Sequence, residues 1–557
     1  MKKIISIILL VLLVLSGGIY YYLTFRKLDD FNPLIKKKLQ TLVHDGSGGL
    51  YQVEFDSLHA DIINSTLVLS NVKLIPDTVL AAKLDSLGKR PADIFNISVA
   101  SIAIDGINIK DFSSGKKVNL KSINISGPSL EIFHKKNKAI NFKKDTASIQ
   151  TLYQRISTHL NRLSVERISI SNMYVIHHTF INNRKEKQSV FKKVNMRFDK
   201  ILVDSLTQYD STRFLYAENA NISVGKLRFP TADSLYFLEV DSVSINALQK
   251  DITAYSFTVI PRGDKNAFTK KLTYAKDRYN LTFKEVFFKK TDWWSIVSNE
   301  GFSAKEAFVK NGKLEVYKDW NLPPSPGLKV GKYPQQLLMK IPFPIDIDKL
   351  KVSNLDVTYE EINLNSEMRG KIMFTNISST ATNVTNDSGK IAVNPYMKIE
   401  ANCMVLNDGP LHVIFGFDLS KSKQGVFTVN AQLGAINTER LNKIIEPLGL
   451  FKIKEGKING LTFSMKANNQ SSTGTVKFLY SDIKVDIYKK GNDDGVQKKR
   501  GLVSFIANAF VLKKSNPGED GIVRVENVAY TRDLMHMSFF NLILKTMLAG
   551  VLKTSGK

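Results

Sequence analysis

The chain has almost no cysteine. Cys403 is its single cysteine, which excludes an intrachain disulfide and a multi-cysteine metal site. Residues 399–405 around it alternate apolar and polar side chains, and this pattern predicts a strand that holds a buried, unreactive thiol. Thiol and disulfide chemistry therefore offer no basis for a function.

Motifs of catalytic and metal sites are also missing. The sequence has no glycine-rich phosphate loop, no nucleophile elbow and no zinc-ligand spacing. Its one histidine pair, His177 and His178, falls at the end of a predicted strand, where neighbouring side chains point to opposite faces. We therefore predict no catalytic residue, no metal and no cofactor, and expect that the protein is not an enzyme. An envelope hydrolase is an alternative that one pocket with clustered acids, or with a histidine beside a nucleophile, would favour.

Acidic residues are few relative to basic ones. The 78 Lys and Arg against 52 Asp and Glu give a net charge of +26, which suggests a polyanionic neighbour, either nucleic acid or an anionic membrane surface. The lysines are scattered and often alternate with apolar residues, and no nucleic-acid-binding motif accompanies them. We interpret them as solvated residues on the outer faces of strands, with membrane attraction as a secondary effect and no nucleic acid as partner.

One apolar run before the C-terminal region has the length of a membrane span. It extends from Ile4 to Leu23 behind Lys2 and Lys3, and about 20 residues at 1.5 Å each match a bilayer core of roughly 30 Å. We predict a transmembrane signal-anchor over residues 1–25 in the inner membrane, with the lysines cytoplasmic and the bulk of the chain in the periplasm. A cleaved signal peptide is the alternative, but no clean small-x-small cleavage pattern follows the run. The anchor candidates are Ile4, Leu10, Leu15 and Tyr20.

A repeated pattern fills the middle of the chain. Copies begin at Val99, Val165, Val240 and Ile347, and longer variants begin at Leu120 and Ala304. Each copy alternates apolar and polar residues, breaks at Gly, Asn or a similar small residue, and then alternates again. Period two with a turn signal between runs predicts a β-hairpin or meander unit that is apolar on one face only.

The predicted fold is mainly β: an N-terminal transmembrane helix followed by an elongated, curved antiparallel sheet, a β-groove, with a few short helices. A one-sided sheet can close into a barrel, pair with a second sheet in a sandwich, or bend into a trough. A trough needs an apolar filler, and acyl chains are available beside a membrane anchor. The candidate groove residues are Ile102, Ile104, Ile107, Ile109, Ile123, Ile125, Ile168, Ile170, Val243, Ile245, Leu350 and Val352.

Other patterns divide the chain. Apolar residues at helical spacing run from Ile149 to Leu163, and Asn437 can cap a helix that ends at Pro447. Prolines within 323–345 predict a linker between an N-terminal β-groove section, 26–322, and a C-terminal β section, 346–490. Residues 491–557 are predicted to form an amphipathic helical segment that dips into a bilayer, contacts a partner, plugs the groove or packs on the core.

The C-terminal section resembles AsmA-like proteins. A helix is followed by the pattern G-x-I-x-x-L, a polar loop and the pattern G-x-V-x-F-x-Y-x-D-I-K-V. The matching residues are Gly456, Ile458, Leu461, Gly474, Val476, Phe478, Tyr480, Asp482, Ile483, Lys484 and Val485. The resemblance implies an inner-membrane anchor and a periplasmic β-rich body similar to bridge-like lipid-transfer proteins.

We therefore expect a lipid-binding or lipid-transfer protein that supports outer-membrane lipid homeostasis and biogenesis. Its expected partners are phospholipids or other acyl lipids, the inner membrane and outer-membrane assembly proteins. A non-enzymatic scaffold or regulator of outer-membrane protein assembly is the alternative, in which the apolar faces pack against each other.

Overall fold

A computed structural model describes residues 31–556 except 62–63, 107–116, 137–152, 155–156, 158–159, 182–183, 208–209, 211, 232, 293–294, 296–300, 363–368, 450 and 488–512. The chain is mainly β, with antiparallel pairing dominant and few helices. It divides into two compact units: Met1–Leu227 with Asp241–Thr253, and Arg228–Val240 with Ala254–Lys557. The mainly β prediction is therefore confirmed.

Unit 1 is a run of strands that pair mostly with their neighbours in sequence. Its elements are α1 (Phe31–Gly46), β1 (Tyr51–Glu54), β2 (Ser57–Asp61), β3 (Thr66–Pro76), α2 (Thr78–Ser86), β4 (Asp93–Asp105), β5 (Lys117–Ser126), β6 (Ser129–Lys136), β7 (Arg162–Ile181), β8 (Arg184–Val203), β9 (Ala217–Val224) and β12 (Ser242–Asn246). β1 and β2 pair with β3, β3 with β4, β7 with β8, β8 with β9, and β9 with β12, all antiparallel.

Within its described residues, unit 2 contains strands of 4 to 18 residues and five α-helices, the longest of 17 residues. Its elements are β10 (Leu227–Pro230), β11 (Tyr236–Val240), β13 (Asp251–Pro261), α3 (Lys265–Thr269), β14 (Arg278–Thr291), β15 (Phe302–Asp319), α4 (Pro334–Leu338), β16 (Ile345–Ile362), β17 (Arg369–Thr385), α5 (Ser388–Val393), β18 (Tyr396–Val405), β19 (Gly409–Asp418), β20 (Phe427–Leu433), α6 (Thr438–Gly449), β21 (Phe451–Ala467), β22 (Ser471–Ile487), β23 (Glu526–Thr531) and α7 (Phe539–Ser555). Pairing from β14 to β23 follows chain order throughout.

The hairpin prediction is wrong for the copy that begins at Val165. Both of its runs belong to β7, and the break lies inside that strand. Ile170 and Met173 are buried although they are three residues apart, and alternation would place them on opposite faces. Asn172 at φ +55° supplies the extra residue, and the register with β8 shifts at this point. The break is thus a β-bulge that keeps the apolar residues on one face.

In two other copies the break also lies inside one strand and does not form a hairpin turn. Asn354 at φ +55° lies inside β16, and Asn311 at φ +54° lies inside β15. The two breaks are neighbours, since the Asn354 Nδ2 donates to Asn311 Oδ1 over 2.7 Å. Asn and Gly tolerate the left-handed conformation that both tight turns and bulges use, so the local signal for the two is alike.

Three pairs of strands are parallel, contrary to a purely antiparallel sheet. β5 and β6 lie end to end along β7 in one register, and β15 runs parallel to β16. Parallel neighbours require a crossover connection of a dozen or more residues. The proline-rich stretch 323–345, predicted as a linker, lies in the crossover from β15 to β16, inside unit 2.

Helical predictions had mixed outcomes. Asn437 caps α6 as predicted, because its Oδ1 accepts from the Glu439 N–H over 2.8 Å. α6 continues past Pro447 to Gly449, so the predicted end was too early. The predicted helix from Ile149 to Leu163 is wrong at its end, because Leu163 lies in β7, where it pairs with Val203 of β8. Ile149, Leu152 and Ile156 lie outside the described residues.

The described part of the C-terminal segment, residues 513–556, is not a single helix. β23 precedes α7, and the helix begins at Phe539. No helix among the described residues has the length and hydrophobicity of a membrane span. The predicted anchor residues Ile4, Leu10, Leu15 and Tyr20 lie outside the described range.

Candidate functional site

Six predicted groove residues come together in unit 1. Ile102, Ile125 and Ile170 occupy neighbouring positions on β4, β5 and β7, and Ile104, Ile123 and Ile168 form the adjacent row. All six are buried, with exposed fractions between 1% and 6%. These two cross-strand rows are therefore already covered by protein, and they offer little surface to a ligand.

The other candidates are placed differently. Val243 and Ile245 lie half-buried on β12 opposite Val224 and Ile222 of β9. Leu350 and Val352 are half-buried on β16 in unit 2. Ile107 and Ile109 lie outside the described residues. Among the described candidates, those on β12 and β16 therefore keep accessible apolar surface, and those on β4, β5 and β7 do not.

We define the open face as the apolar side of β14, β15 and β16. Leu281, Leu314 and Val357 form one row across the three strands, and Val286, Val309 and Val352 form another. The residues named below are half-buried, whereas Ala307, between Phe288 and Leu350, and Gly312, between Phe283 and Leu355, are buried. Its residues are Leu281, Phe283, Val286, Phe288, Val309, Leu314, Val316, Leu350, Val352, Leu355 and Val357.

Protein covers the continuation of this face on the later strands. Val384 of β17, which pairs with Ile347 of β16, packs against a buried cluster that includes Phe427, Phe463 and Leu542 of α7. Phe374 of β17 packs against a second cluster with Ile453 and Ile458, to which α6 contributes Leu441 and Ile445. Helices α6 and α7 therefore pack against the apolar side beyond β17, where Val384 and Phe374 are half-buried, whereas no described helix contributes to a cluster with the open face of β14 to β16.

The reverse side of the same strands is polar. Lys351 pairs with Glu306 over 3.4 Å, and Lys310 pairs with Glu285 over 3.4 Å. Lysine stems also cover aromatic rings there; the Lys351 Nζ lies 5.2 Å from the centroid of the Phe308 ring. The sheet is therefore two-sided at this place, with Lys310 and Lys351 on the polar reverse side.

Along the strands, the open face ends in a polar cluster that we call the polar end. Tyr279 and Tyr359 flank Val316 in the last apolar row, and the next positions on the same side are Asp277, Lys318 and Glu361. The Tyr359 hydroxyl donates to Glu361 Oε2 over 2.7 Å, and the Trp320 Nε1 donates to the same oxygen over 3.0 Å. The Tyr279 hydroxyl donates to Asp277 Oδ2 over 3.2 Å.

Burial and charge perturb the groups of the polar end. Burial, with the adjacent Glu361 carboxylate, raises the pKa of Tyr359 far above its ordinary value. Burial, with the Asp277 carboxylate, likewise raises the pKa of Tyr279. Lys329, a further cation near Asp277 and Lys318, has its pKa lowered by burial and by the charges of Lys318 and Lys332, against the opposing effect of the Asp277 carboxylate. The phenols therefore remain neutral hydrogen-bond donors, and they hold the two carboxylates in place.

Candidates for chemistry remain isolated. Cys403 is half-buried on β18, and burial raises the pKa of its thiol, which disfavours the reactive thiolate. His178 is buried against the Phe133 ring, whereas His177 stacks on His134. Within the described ranges, no three metal-ligating side chains are grouped as a metal site.

Sequence reasoning missed the polar end. A signal was present: the last apolar residue of β15 is followed at the next same-side position by Lys318, and β16 ends its alternation with Tyr359 and Glu361. Only the register among β14, β15 and β16 brings these positions together, and that register is a non-local property.

No protein-family model matches this chain, and no protein among the curated ones matches it.

Proposed function

We propose that this chain is a membrane-anchored periplasmic protein that binds acyl lipid on the open face and takes part in lipid transfer. The half-buried apolar surface of β14 to β16 carries the proposal, because a lipid tail can reach it without displacing a helix. The resemblance of the C-terminal section to AsmA-like proteins supports an inner-membrane anchor and a role in outer-membrane lipid homeostasis.

The dimensions of the open face suit one acyl chain. From Phe288 to Leu281 the strand rises by about 23 Å at roughly 3.3 Å per residue. One leaflet of a bilayer core is about 15 Å thick, so a tail can lie lengthwise along the strands. Lipid tails and aliphatic side chains are similarly apolar, so exchange between bilayer and protein is close to neutral in free energy. Such a balance favours transfer over permanent storage.

A scaffold for outer-membrane protein assembly is the second candidate. The buried rows around Ile104 and Ile125 in unit 1 favour it, because apolar faces that are sealed by protein serve stability and not transport. The two functions differ in whether lipid ever touches the open face in the cell.

Photo-crosslinking from two adjacent positions tests this difference. Val352 lies on the open face, and Lys351, its neighbour on β16, lies on the polar reverse side. Each is replaced in turn by the photoreactive residue benzoylphenylalanine in the full-length chain. Cells are irradiated, and the purified protein is analysed for covalently bound lipid by mass spectrometry.

We expect phospholipid adducts from position 352 and at least about tenfold fewer from position 351, because side chains at neighbouring strand positions point to opposite faces. Equal low yields from both positions, with each variant folded and membrane-associated, would contradict lipid binding. That outcome would favour the scaffold.

A further inference from the structure

One end of the sheet in unit 2 is built by the start of β16 and by the connections after β17, β19 and β21. The strand register places these points together, because Asp346 of β16 pairs with Thr385 of β17, and Tyr396 of β18 pairs with Asp418 of β19. Pairing of β20 with β19 and with β21 places the next connection there as well. We define the turn surface as residues 331–344, which lead into β16, together with 386–396, 419–426 and 468–470.

Side-chain amides fasten the parts of the turn surface to one another. The Asn386 Nδ2 donates to the Phe343 carbonyl over 3.1 Å, which joins the connection after β17 to the segment before β16. The Gln336 Nε2 of α4 donates to the Ser422 carbonyl over 2.9 Å and to Asn469 Oδ1 over 3.0 Å. The turn surface is therefore one ordered layer, although its parts come from separate connections.

Large apolar side chains project from this layer into solvent. Those with between 47% and 86% of their surface exposed are Leu337, Phe343, Val393 and Tyr396. Nearby positions on the same segments face inward: Leu338 and Ile391 pack against the buried cluster to which Met397 belongs. A single exposed apolar side chain needs no explanation, but several on one ordered layer over a shared core mark an interaction surface.

The charge of the turn surface is positive. Its cations are Lys332, Lys340, Lys390, Lys421 and Lys423. Three carboxylates offset part of this charge: Asp387 caps α5, Asp346 pairs with Lys390 over 3.1 Å, and Asp418 pairs with Lys421 over 3.4 Å. Bordering charges occur in balanced pairs, namely Lys305 with Asp348, Lys398 with Glu400, and Arg532 beside Asp533. Two ammonium groups are thus in excess around the exposed apolar side chains.

We propose that the turn surface rests on an anionic membrane, with its exposed apolar side chains in the headgroup region and its excess lysines beside lipid phosphates. A fluid bilayer accepts apolar side chains that project separately, whereas a folded protein partner needs a pocket for each. Tyrosine is typical of the headgroup level, and lysines are attracted to an anionic surface. This contact goes beyond lipid binding on the open face and does not depend on it.

Co-sedimentation with vesicles tests the contact while the predicted N-terminal anchor is occupied. The full-length chain is placed in nanodiscs of phosphatidylcholine, which stay in solution, and is mixed with sucrose-loaded vesicles, which sediment. Vesicles of phosphatidylcholine alone are compared with vesicles of phosphatidylcholine and phosphatidylglycerol in equal amounts. We expect binding to the anionic vesicles to be about thirtyfold stronger, the combined effect of two lysines that contribute about fivefold each.

Two double variants separate charge from apolar contact. Lys332→Gln with Lys423→Gln should remove most of the preference for anionic vesicles. Phe343→Ser with Val393→Ser should weaken binding to both kinds of vesicle by about tenfold or more, because the apolar area that leaves water is smaller. All four side chains are exposed, so thermal unfolding of these variants should match that of the unsubstituted chain.

Matched controls come from unit 1. Lys73→Gln with Lys89→Gln removes the same charge from exposed positions, and Val79→Ser with Leu206→Ser removes apolar side chains that are 79% and 81% exposed. Both control variants should bind vesicles as the unsubstituted chain does. Losses as large as those of the turn-surface variants would overturn the proposal, because attraction would then be a general property of the basic chain.

The unsubstituted chain provides the other decisive outcomes. No sedimentation with anionic vesicles would overturn the proposal and leave a protein partner as the occupant of the turn surface. Equal binding to neutral and anionic vesicles would overturn the part assigned to the lysines. Lipid adducts from position 352 are measured separately, so failure of vesicle binding leaves the proposed function intact, and loss of the adducts leaves the membrane contact intact.

Discussion

Gly550 provides a sharp test of how the C-terminal helix packs. A Cβ at this position would lie 2.2 Å from Val476 Cγ2 and 2.4 Å from Val476 Cβ, so α7 and β22 approach more closely than any larger residue allows. Overpacking of this kind typically costs about 1–3 kcal/mol, and the better helix propensity of Ala returns up to about 1 kcal/mol. We expect Gly550→Ala to lower the free energy of unfolding by about 1–2 kcal/mol.

The sign of this change separates two arrangements of the helix. If α7 left the strands to dip into a bilayer, the same substitution would meet no neighbour and would stabilise the helix by up to about 1 kcal/mol. Packing on the core therefore predicts a loss of stability, and membrane insertion predicts a gain or no change. The sequence alone did not decide whether the C-terminal apolar segment packs on the core or enters a bilayer.

The assay is unfolding of the full-length chain in detergent, combined with hydrogen exchange of the α7 amides. Gly550→Ala should also be measured in a Val476→Gly background, where the Cβ and both methyl groups that make the close contacts are absent. We expect the loss to shrink by about 1 kcal/mol or more there, a coupling typical of residues in contact. Gly46→Ala in α1 is the control, because no atom lies within 4 Å of its Cβ position. A gain in stability from Gly550→Ala in both backgrounds would refute the packing of α7 on β22.

Two further substitutions test how the polypeptide is held. Arg532 is 4% exposed, and its guanidinium donates to the carbonyls of Met537, Asn469 and Lys329. Arg532→Lys should therefore lower the free energy of unfolding by about 2 kcal/mol or more, because one ammonium cannot satisfy three separated acceptors. Thermal unfolding checks this value, and an unchanged midpoint of unfolding would show that these three hydrogen bonds of Arg532 do not stabilise the fold. Asn172→Ala should cost about 1 kcal/mol because φ is +55°, whereas Asn172→Gly should be nearly neutral. Equal stability of these two variants, in denaturant titrations, would argue against the bulge.

The sequence by itself determined the local properties of this protein. Alternation of apolar and polar residues predicted strands through most of the chain, and the strands are present. Asn437 predicted a helix start because capping needs only a side-chain oxygen and an amide two residues away. Sidedness was also predictable, since each bulge preserves the apolar face of its own strand.

The tertiary structure alone decided which strands pair and which faces are covered. Asn354 and Asn172 both adopt the left-handed backbone conformation, which suits a tight turn and a β-bulge equally well. Only pairing with the neighbouring strand decides which of the two structures forms. Ile104 and Val352 occupy equivalent positions in their repeats, yet one is 2% exposed and the other is half-buried. The difference lies in what packs over each face, and covering elements such as α6 and α7 come from distant parts of the chain. Burial is a property of that distant packing, which periodicity within one strand does not encode.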